Sequence, residues 1–157
     1  MKQKDKEVLL VDLCARLPYG VKILHKGWNY EWDDELSTVE RVVGIDEDFI
    51  YTKVIDTHNG EEYRDDKWPI DTFDDKLLLR PMSSMTNEER FEIEQITGPD
   101  IEIRDDFINL LSPSVKRFSY LELLAIFEWL NVHHFDYNGL INKGLAIAVT
   151  EDNNPYK

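Results

Sequence analysis

The sequence has no second cysteine; Cys14 is the only one among its 157 residues. A single thiol can form neither an intramolecular disulfide nor a cysteine-based zinc site. We therefore expect a reducing, cytoplasmic environment for this protein. Cys14 lies in an apolar stretch, and this position predicts a buried thiol that serves packing.

Long apolar runs are also missing. The chain begins with the charged segment Met1–Lys6, and no extended apolar segment follows it. A membrane-spanning helix needs about 20 predominantly apolar residues, and a secretory signal needs an apolar core. The sequence therefore predicts neither a signal peptide nor a membrane association.

Basic residues are scarce, with 18 Lys and Arg against 32 Asp and Glu, for a net charge of −14. Residues 31–75 hold sixteen acidic and four basic residues, a net charge of −12, so most of the excess lies in this segment. Such a field repels nucleic-acid phosphates and attracts basic surfaces. We expect no direct nucleic-acid binding and a protein partner with a basic surface.

The residues that are present predict an α+β fold. Their 42% hydrophobic content is typical of a globular chain. Short segments rich in β-branched and aromatic residues follow one another between positions 21 and 80, which favours a small acidic antiparallel sheet or a partly open barrel. We expect it to pack with an N-terminal helix over 6–17 and a C-terminal helical unit, within one domain over 1–150.

The predicted helical region spans 86–148, with a flexible tail over 151–157. Thr86–Glu89 and Ser119–Glu122 each match the capping-box pattern that starts a helix. The stretch from Leu121 to Leu130 is apolar except for two glutamates, so we expect it to be central to the core. Asp136 is predicted to cap a short helix that ends at Gly144.

Aromatic residues form the first candidate binding site. Trp28, Tyr30 and Trp32 alternate with polar residues, so a strand would place all three rings on one face. Together with Trp68 they could form a groove for a basic or proline-rich peptide. The alternative is that the rings face the core.

The second candidate site is acidic. Asp46, Glu47 and Asp48 join two predicted strands in a tight turn. Close carboxylates could contact a basic partner, hold a divalent cation, or imitate the phosphate spacing of DNA. The alternative is that they are solvated and discourage edge-to-edge pairing of strands.

His133, His134 and Asp136 form the third candidate site. Two histidines and a carboxylate are metal-ligand types. Adjacent residues point about 100° apart on a helix, however, so sharing one ion would require an irregular turn. The alternative interpretation is that a histidine caps the helix end or contacts a partner. We predict no cofactor from these residues.

Three segments carry a resemblance. Residues 79–86 read LRPMSSMT, residues 129–146 read WLNVHHFDYNGLINKGLA, and residues 12–21 form a weaker third piece. They resemble short proteins of no established activity that bacteriophages and prophages of gut anaerobic bacteria encode. The resemblance implies a mobile-element context and the cytoplasm of a bacterial host.

The leading functional expectation is a non-enzymatic protein–protein interaction module with an acidic surface. The alternatives are a DNA-mimic inhibitor of a host nucleic-acid-binding protein, a small metal-dependent hydrolase, and a virion or assembly component. The sequence leaves the partner's identity and the oligomeric state open.

Overall fold

The computed structural model describes residues 3–29, 34–55, 61–70, 72–97, 102–103, 108–109 and 119–156. These residues form an α+β fold in which helices pack with an open, six-stranded, mostly antiparallel sheet. The predicted fold class is therefore confirmed, as an open sheet rather than a closed barrel.

The sheet is built from a meander and two additional strands. In chain order its strands are β1 (Lys22–Asn29), β2 (Asp34–Ile45), β3 (Phe49–Ile55), β4 (Glu62–Pro69), β5 (Lys76–Leu79) and β8 (Ala146–Ala148). The intervening strands β6 (Glu102–Ile103) and β7 (Ile108–Asn109) form a separate ribbon. The order across the six-stranded sheet is β4-β3-β2-β1-β5-β8. Strands β1 to β4 pair with their sequence neighbours, whereas β5 returns to the free edge of β1.

Strand β8 pairs in parallel with β5, with Leu78 opposite Ile147. The prediction of a helical region through residue 148 is wrong at this end. The predicted helix after Asp136 is also absent, because the described residues 137–145 form successive turns. Gly144 does have the expected left-handed conformation, with φ +69°, which glycine adopts without the steric cost of a Cβ atom.

Helix α1 (Gln3–Arg16) covers one face of the sheet with a stripe at helical spacing. Its buried residues are Leu9, Asp12, Leu13 and Arg16. Cys14 is exposed, so the prediction of a buried thiol is wrong. The reason is geometric: Cys14 points about 100° away from Leu13 around the helix, outside the buried stripe.

Two further helices, α2 (Asn87–Thr97) and α3 (Tyr120–Val132), pack against each other. Both capping boxes are confirmed by reciprocal hydrogen bonds, Thr86 with Glu89 and Ser119 with Glu122. A small two-stranded ribbon, β6 (Glu102–Ile103) and β7 (Ile108–Asn109), lies between the helices in sequence.

Most of the buried apolar residues in the described part of the chain form two clusters. One lies between α1 and the sheet and includes Leu9, Leu13, Ile23 and Leu77. The other lies between α2 and α3 and comprises Met82, Met85, Ile93, Ile126, Leu130 and Phe135. Residues 133–136 follow α3 directly, so the histidine segment lies where the helical cluster meets the sheet.

Candidate functional sites

The two predicted histidines point to different surroundings. His133 ends α3, where its Nδ1 lies 2.8 Å from the carbonyl oxygen of Trp129 and its ring stacks on the same residue at 4.0 Å. His134 has φ +57° and stacks on Tyr156 at 3.9 Å between ring centroids. Asp136 accepts backbone N–H bonds from Leu140 and Ile141, both at 2.8 Å.

These three side chains are therefore occupied with separate structural contacts. Within the described ranges, no group of three or more His, Cys, Asp or Glu side chains is arranged to hold a metal ion. The interpretation of His133 as a helix-end residue fits its contacts with α3, and Asp136 binds amide groups without starting a helix.

His134 is almost fully buried, with 6% of its surface exposed. Burial lowers its pKa to about 3, and the positive charges of Arg16 and Lys22 act in the same direction. Its Nδ1 atom has no hydrogen-bond partner among the described residues. The ring is therefore neutral at pH 7 and cannot reach a partner protein from this position.

Tyr156 links three parts of the molecule, although the sequence predicted a flexible tail over residues 151–157. Its hydroxyl donates to the carbonyl of Leu78 at 2.8 Å and accepts the backbone N–H of Lys22 at 3.0 Å. Lys22 belongs to β1 and Leu78 to β5, so the phenol bridges two neighbouring strands. Burial raises the pKa of Tyr156 far above its ordinary value, which keeps the hydroxyl protonated as a donor.

A buried ion pair joins α1 to the histidine segment. Arg16 donates from Nε to Asp12 at 2.6 Å and from Nη2 to the carbonyl of Phe135 at 2.8 Å. Asn138 donates to Asp12 at 2.7 Å. Both charged side chains are fully buried. Their contacts replace part of the hydration that each loses, while Arg16 Nη1 has no hydrogen-bond partner among the described residues.

A second polar cluster, centred on His25, was not predicted from the sequence. His25 Nδ1 lies 3.0 Å from both carboxylate oxygens of Asp75, and the imidazole stacks on Trp68 at 4.0 Å. Trp68 in turn donates its indole N–H to Glu40 at 2.9 Å. The predicted wall residue Trp68 is therefore held inside this cluster rather than presented as an open aromatic surface.

Glu40 is fully buried and anchors the His25 cluster. It accepts hydroxyl hydrogen bonds from Thr52 at 2.6 Å and Thr38 at 3.1 Å, in addition to the indole. Burial raises the pKa of the Asp75 carboxyl, and the adjacent His25 partly opposes this effect. The cluster thus connects His25 directly to the buried carboxylate of Asp75 and, through Trp68, to that of Glu40.

The acidic turn is held by hydrogen bonds between residues that are close in sequence. Asp46 accepts backbone hydrogen bonds from Asp48 and Phe49 and a 2.6 Å hydrogen bond from the Tyr51 hydroxyl. The Tyr51 hydrogen bond first, and then the two amides, lower the pKa of Asp46. The predicted tight turn is confirmed, and this carboxylate holds the turn together, while Glu47 and Asp48 are exposed.

The strands that carry most of the acidic sequence also gather cations. The register places three basic residues in a row across β1 to β3, with Lys22 opposite Arg41 and Arg41 opposite Lys53. On β4, Asp65 lies opposite Lys53. Glu62 pairs with Arg41 at 2.5 Å and with Lys53 at 3.6 Å. A further pair joins Arg64 and Asp66 at 2.7 Å. Part of the acidity predicted for this region is therefore neutralised within the sheet.

Of the predicted aromatic triplet, only the backbone of Trp28 is described, near the end of β1. Trp28 pairs with Glu35 through the backbone, whereas the Trp28 side chain and all of Tyr30 and Trp32 lie outside the described residues. Strand β1 ends at Asn29 and β2 begins at Asp34, so positions 30–33 connect the two paired strands.

Helix α3 is not enclosed by the core, so the prediction of a central buried helix is wrong. Only Ile126, Leu130 and Asn131 are buried along it. Leu121 is 75% exposed, Tyr120 74%, Leu124 46% and Phe127 41%. We call these four residues the α3 face. No pattern within the helix distinguishes them, because apolar residues occur on nearly all sides.

The chain matches no family model, no curated protein and no solved structure. In the part of the chain that the structure describes, none of the helices has the length and apolar character to cross a membrane.

Proposed function

We propose that this protein is a non-enzymatic protein–protein interaction module, encoded by a phage or prophage, that binds a partner with a basic surface. The exposed α3 face is the observation that carries the proposal. Contiguous exposed apolar surface is uncommon on a soluble protein unless something binds there. Aromatic anchors such as Tyr120 and Phe127 are frequent at the energetic centre of interfaces.

The charge of the helices supports a basic partner. Helices α2 and α3 contain six glutamates and one basic residue, Arg90, so their side chains carry a net charge of −5. Glu89 forms a salt bridge with Arg80 at 2.6 Å. Charge around an apolar anchor accelerates association and selects the partner. The apolar anchor and the acidic field therefore belong to the same pair of helices.

A binding role also agrees with the contacts of the histidine segment. His133 stacks on Trp129 at the end of α3. The backbone of His134 and Asp136 exchanges hydrogen bonds with Arg80, which directly follows β5, and so joins α3 to the sheet. These contacts give the segment a structural task, which is to hold α3 in place while its outer face remains exposed.

Affinity capture from a lysate of a gut anaerobic bacterium, at low and high salt, tests the proposal. We expect a basic protein to be retained at low salt and lost at high salt, because screening weakens contacts between exposed charges. The control bait is a Leu121→Ser/Leu124→Ser variant at the same two salt concentrations. Equal retention by both baits at both salt concentrations would contradict the proposal.

A further inference from the structure

We infer that the partner segment bound by the α3 face is a cationic amphipathic helix. This inference rests on the proposed function and adds the kind of element that docks. Tyr120, Leu124 and Phe127 follow the spacing i, i+4, i+7, and Leu121 lies beside them. They occupy the first two turns of α3, about 10 Å of helix length.

This spacing suits another helix better than it suits an extended peptide. Residues spaced at i, i+4 and i+7 form a ridge along one side of a helix, and a second helix packs its own ridge into the adjacent groove. An extended peptide binds mainly through the backbone of a sheet edge. The α3 face offers side chains alone, because the backbone groups in the middle of a helix are already bonded to each other.

A carboxylate beside the α3 face determines the charge of the partner. Glu128 is exposed and lies one turn beyond Leu124, on the same side of the helix. Its carboxylate accepts a hydrogen bond from the Tyr19 hydroxyl at 3.5 Å, whereas Glu92 contacts Trp129 on the opposite side of α3. A partner with lysines or arginines flanking its apolar side would meet Glu128 as the apolar sides pack together.

A second copy of this chain is a poorer occupant for the same reason. Each copy carries a net charge of −14, and a symmetric α3–α3 contact would bring Glu128 of both copies together. Like charges across an interface oppose association. We therefore expect the protein to sediment as a monomer at moderate protein concentration.

Two synthetic helical peptides of about five turns provide the test. Both carry leucines at helical spacing; one has lysines on the flanks, and the other has glutamates at the same positions. Titration calorimetry with the full chain measures both affinities at low salt. We expect the lysine peptide to bind at least about tenfold more tightly than the glutamate peptide, because only its charges complement Glu128 and the net charge of −14 of the protein.

Variants of the protein locate the binding site. Leu121→Ser/Leu124→Ser should weaken binding of the lysine peptide by roughly tenfold or more, since two apolar contacts are removed. Glu128→Gln should weaken it less but reduce its salt dependence, whereas Glu92→Gln, on the opposite side of α3, should leave the salt dependence unchanged. The matched controls are Val43→Thr, at an exposed apolar position on β2, and Glu47→Gln, in the acidic turn. Leu121→Ser alone serves if the double variant does not fold.

Four results would overturn the inference. The lysine peptide could bind no better than the glutamate peptide, or the leucine variants could bind it as well as the unaltered protein does. A dimer that Leu121→Ser dissociates would identify a second copy as the occupant. Capture of a basic protein that survives the leucine substitutions would overturn this inference while leaving the proposed function standing. Peptide binding without any captured basic protein would be the failure of the proposed function instead.

Discussion

The Tyr156 hydroxyl donates a hydrogen bond to the Leu78 carbonyl at 2.8 Å, although the two residues are 78 positions apart. The same oxygen accepts the backbone N–H of Lys22. We expect Tyr156→Phe to lower the free energy of unfolding by about 1–3 kcal/mol, because both strand groups lose a partner inside the protein. Urea unfolding measures this loss.

The matched control is Tyr120→Phe, since Tyr120 is 74% exposed and substitutions at exposed positions usually change stability by less than about 0.5 kcal/mol. Equal effects of the two substitutions would show that the Tyr156 bridge does not contribute to stability.

The buried neutral His134 predicts that acid destabilises the fold. In the unfolded chain a histidine takes up a proton near pH 6.5, whereas the native pKa of His134 is about 3. The stability it contributes is fully present above pH 6.5 and is lost as the pH falls from 6.5 towards 3. The difference corresponds to a few kcal/mol at most, at about 1.4 kcal/mol for each pKa unit.

Urea unfolding at several pH values between 3 and 8 measures this slope. His134→Asn should flatten it, and asparagine tolerates the positive φ of this position. The control is His133→Asn, which leaves His134 in place. A pH profile of His134→Asn that superimposes on that of the unaltered protein would refute the prediction.

The Asp12–Arg16 pair predicts an asymmetry between buried and exposed ion pairs. Arg16→Met leaves a buried carboxylate without its cation, and removing one partner of such a pair costs about 3–5 kcal/mol of stability. Arg64→Met removes one partner of the half-exposed Arg64–Asp66 pair and should cost at most about 1 kcal/mol.

A double-mutant cycle with Asp12→Leu and Arg16→Met measures the coupling in thermal or urea unfolding. We expect the double variant to be more stable than the sum of the single effects predicts, because no charge is then left buried alone. Strict additivity would argue against a coupled pair.

Glu40 predicts a measurable signal at Trp68. Glu40→Gln replaces one carboxylate oxygen by an NH2 group that cannot accept, so the hydrogen bonds from the Trp68 indole, Thr52 and Thr38 cannot all persist. We expect a loss of about 1–3 kcal/mol in the free energy of unfolding and a shift of the Trp68 indole N–H resonance. The control is Glu47→Gln in the exposed turn, which should leave that resonance in place; an unshifted signal in Glu40→Gln would contradict the hydrogen bond.

Local patterns in the sequence predicted the local structure well. The capping boxes at Thr86 and Ser119, the acidic turn after β2 and the left-handed Gly144 each depend on residues within a few positions of one another. Such features are determined by short-range hydrogen bonding and by backbone sterics. Strand β3 (Phe49–Ile55) is likewise rich in β-branched and aromatic residues, the pattern that predicted a sheet between positions 21 and 80.

Contacts between distant parts of the chain were not predictable in the same way. His25 and Asp75 are 50 positions apart, and only the return of β5 to the edge of β1 brings them together. The glycine at position 27 fits this arrangement, because a Cβ atom there would lie 3.0 Å from His25 Nε2. Without the structure, Gly27 does not indicate that the His25 ring packs beside it.

The error about α3 has a different origin. An apolar surface on a helix indicates that something covers it, but the same residues serve whether the covering element belongs to the chain or to another protein. Ile126 and Leu130 are covered within the fold, whereas Leu121 and Leu124 are not. The sequence pattern could not assign the two faces, because tertiary packing determines which one is enclosed.

The Tyr156 bridge also imposes an order on the folding of the chain during its synthesis. Strands β1 to β4 can pair with one another as soon as each is made, because every one adjoins its neighbour in sequence. The junction of β1 with β5 receives its phenol only after residue 156 has left the ribosome. A nascent chain stalled before that point therefore has the paired strands β1 to β4 without the two Tyr156 hydrogen bonds. A chaperone or protease that acts during translation would encounter this less stable intermediate.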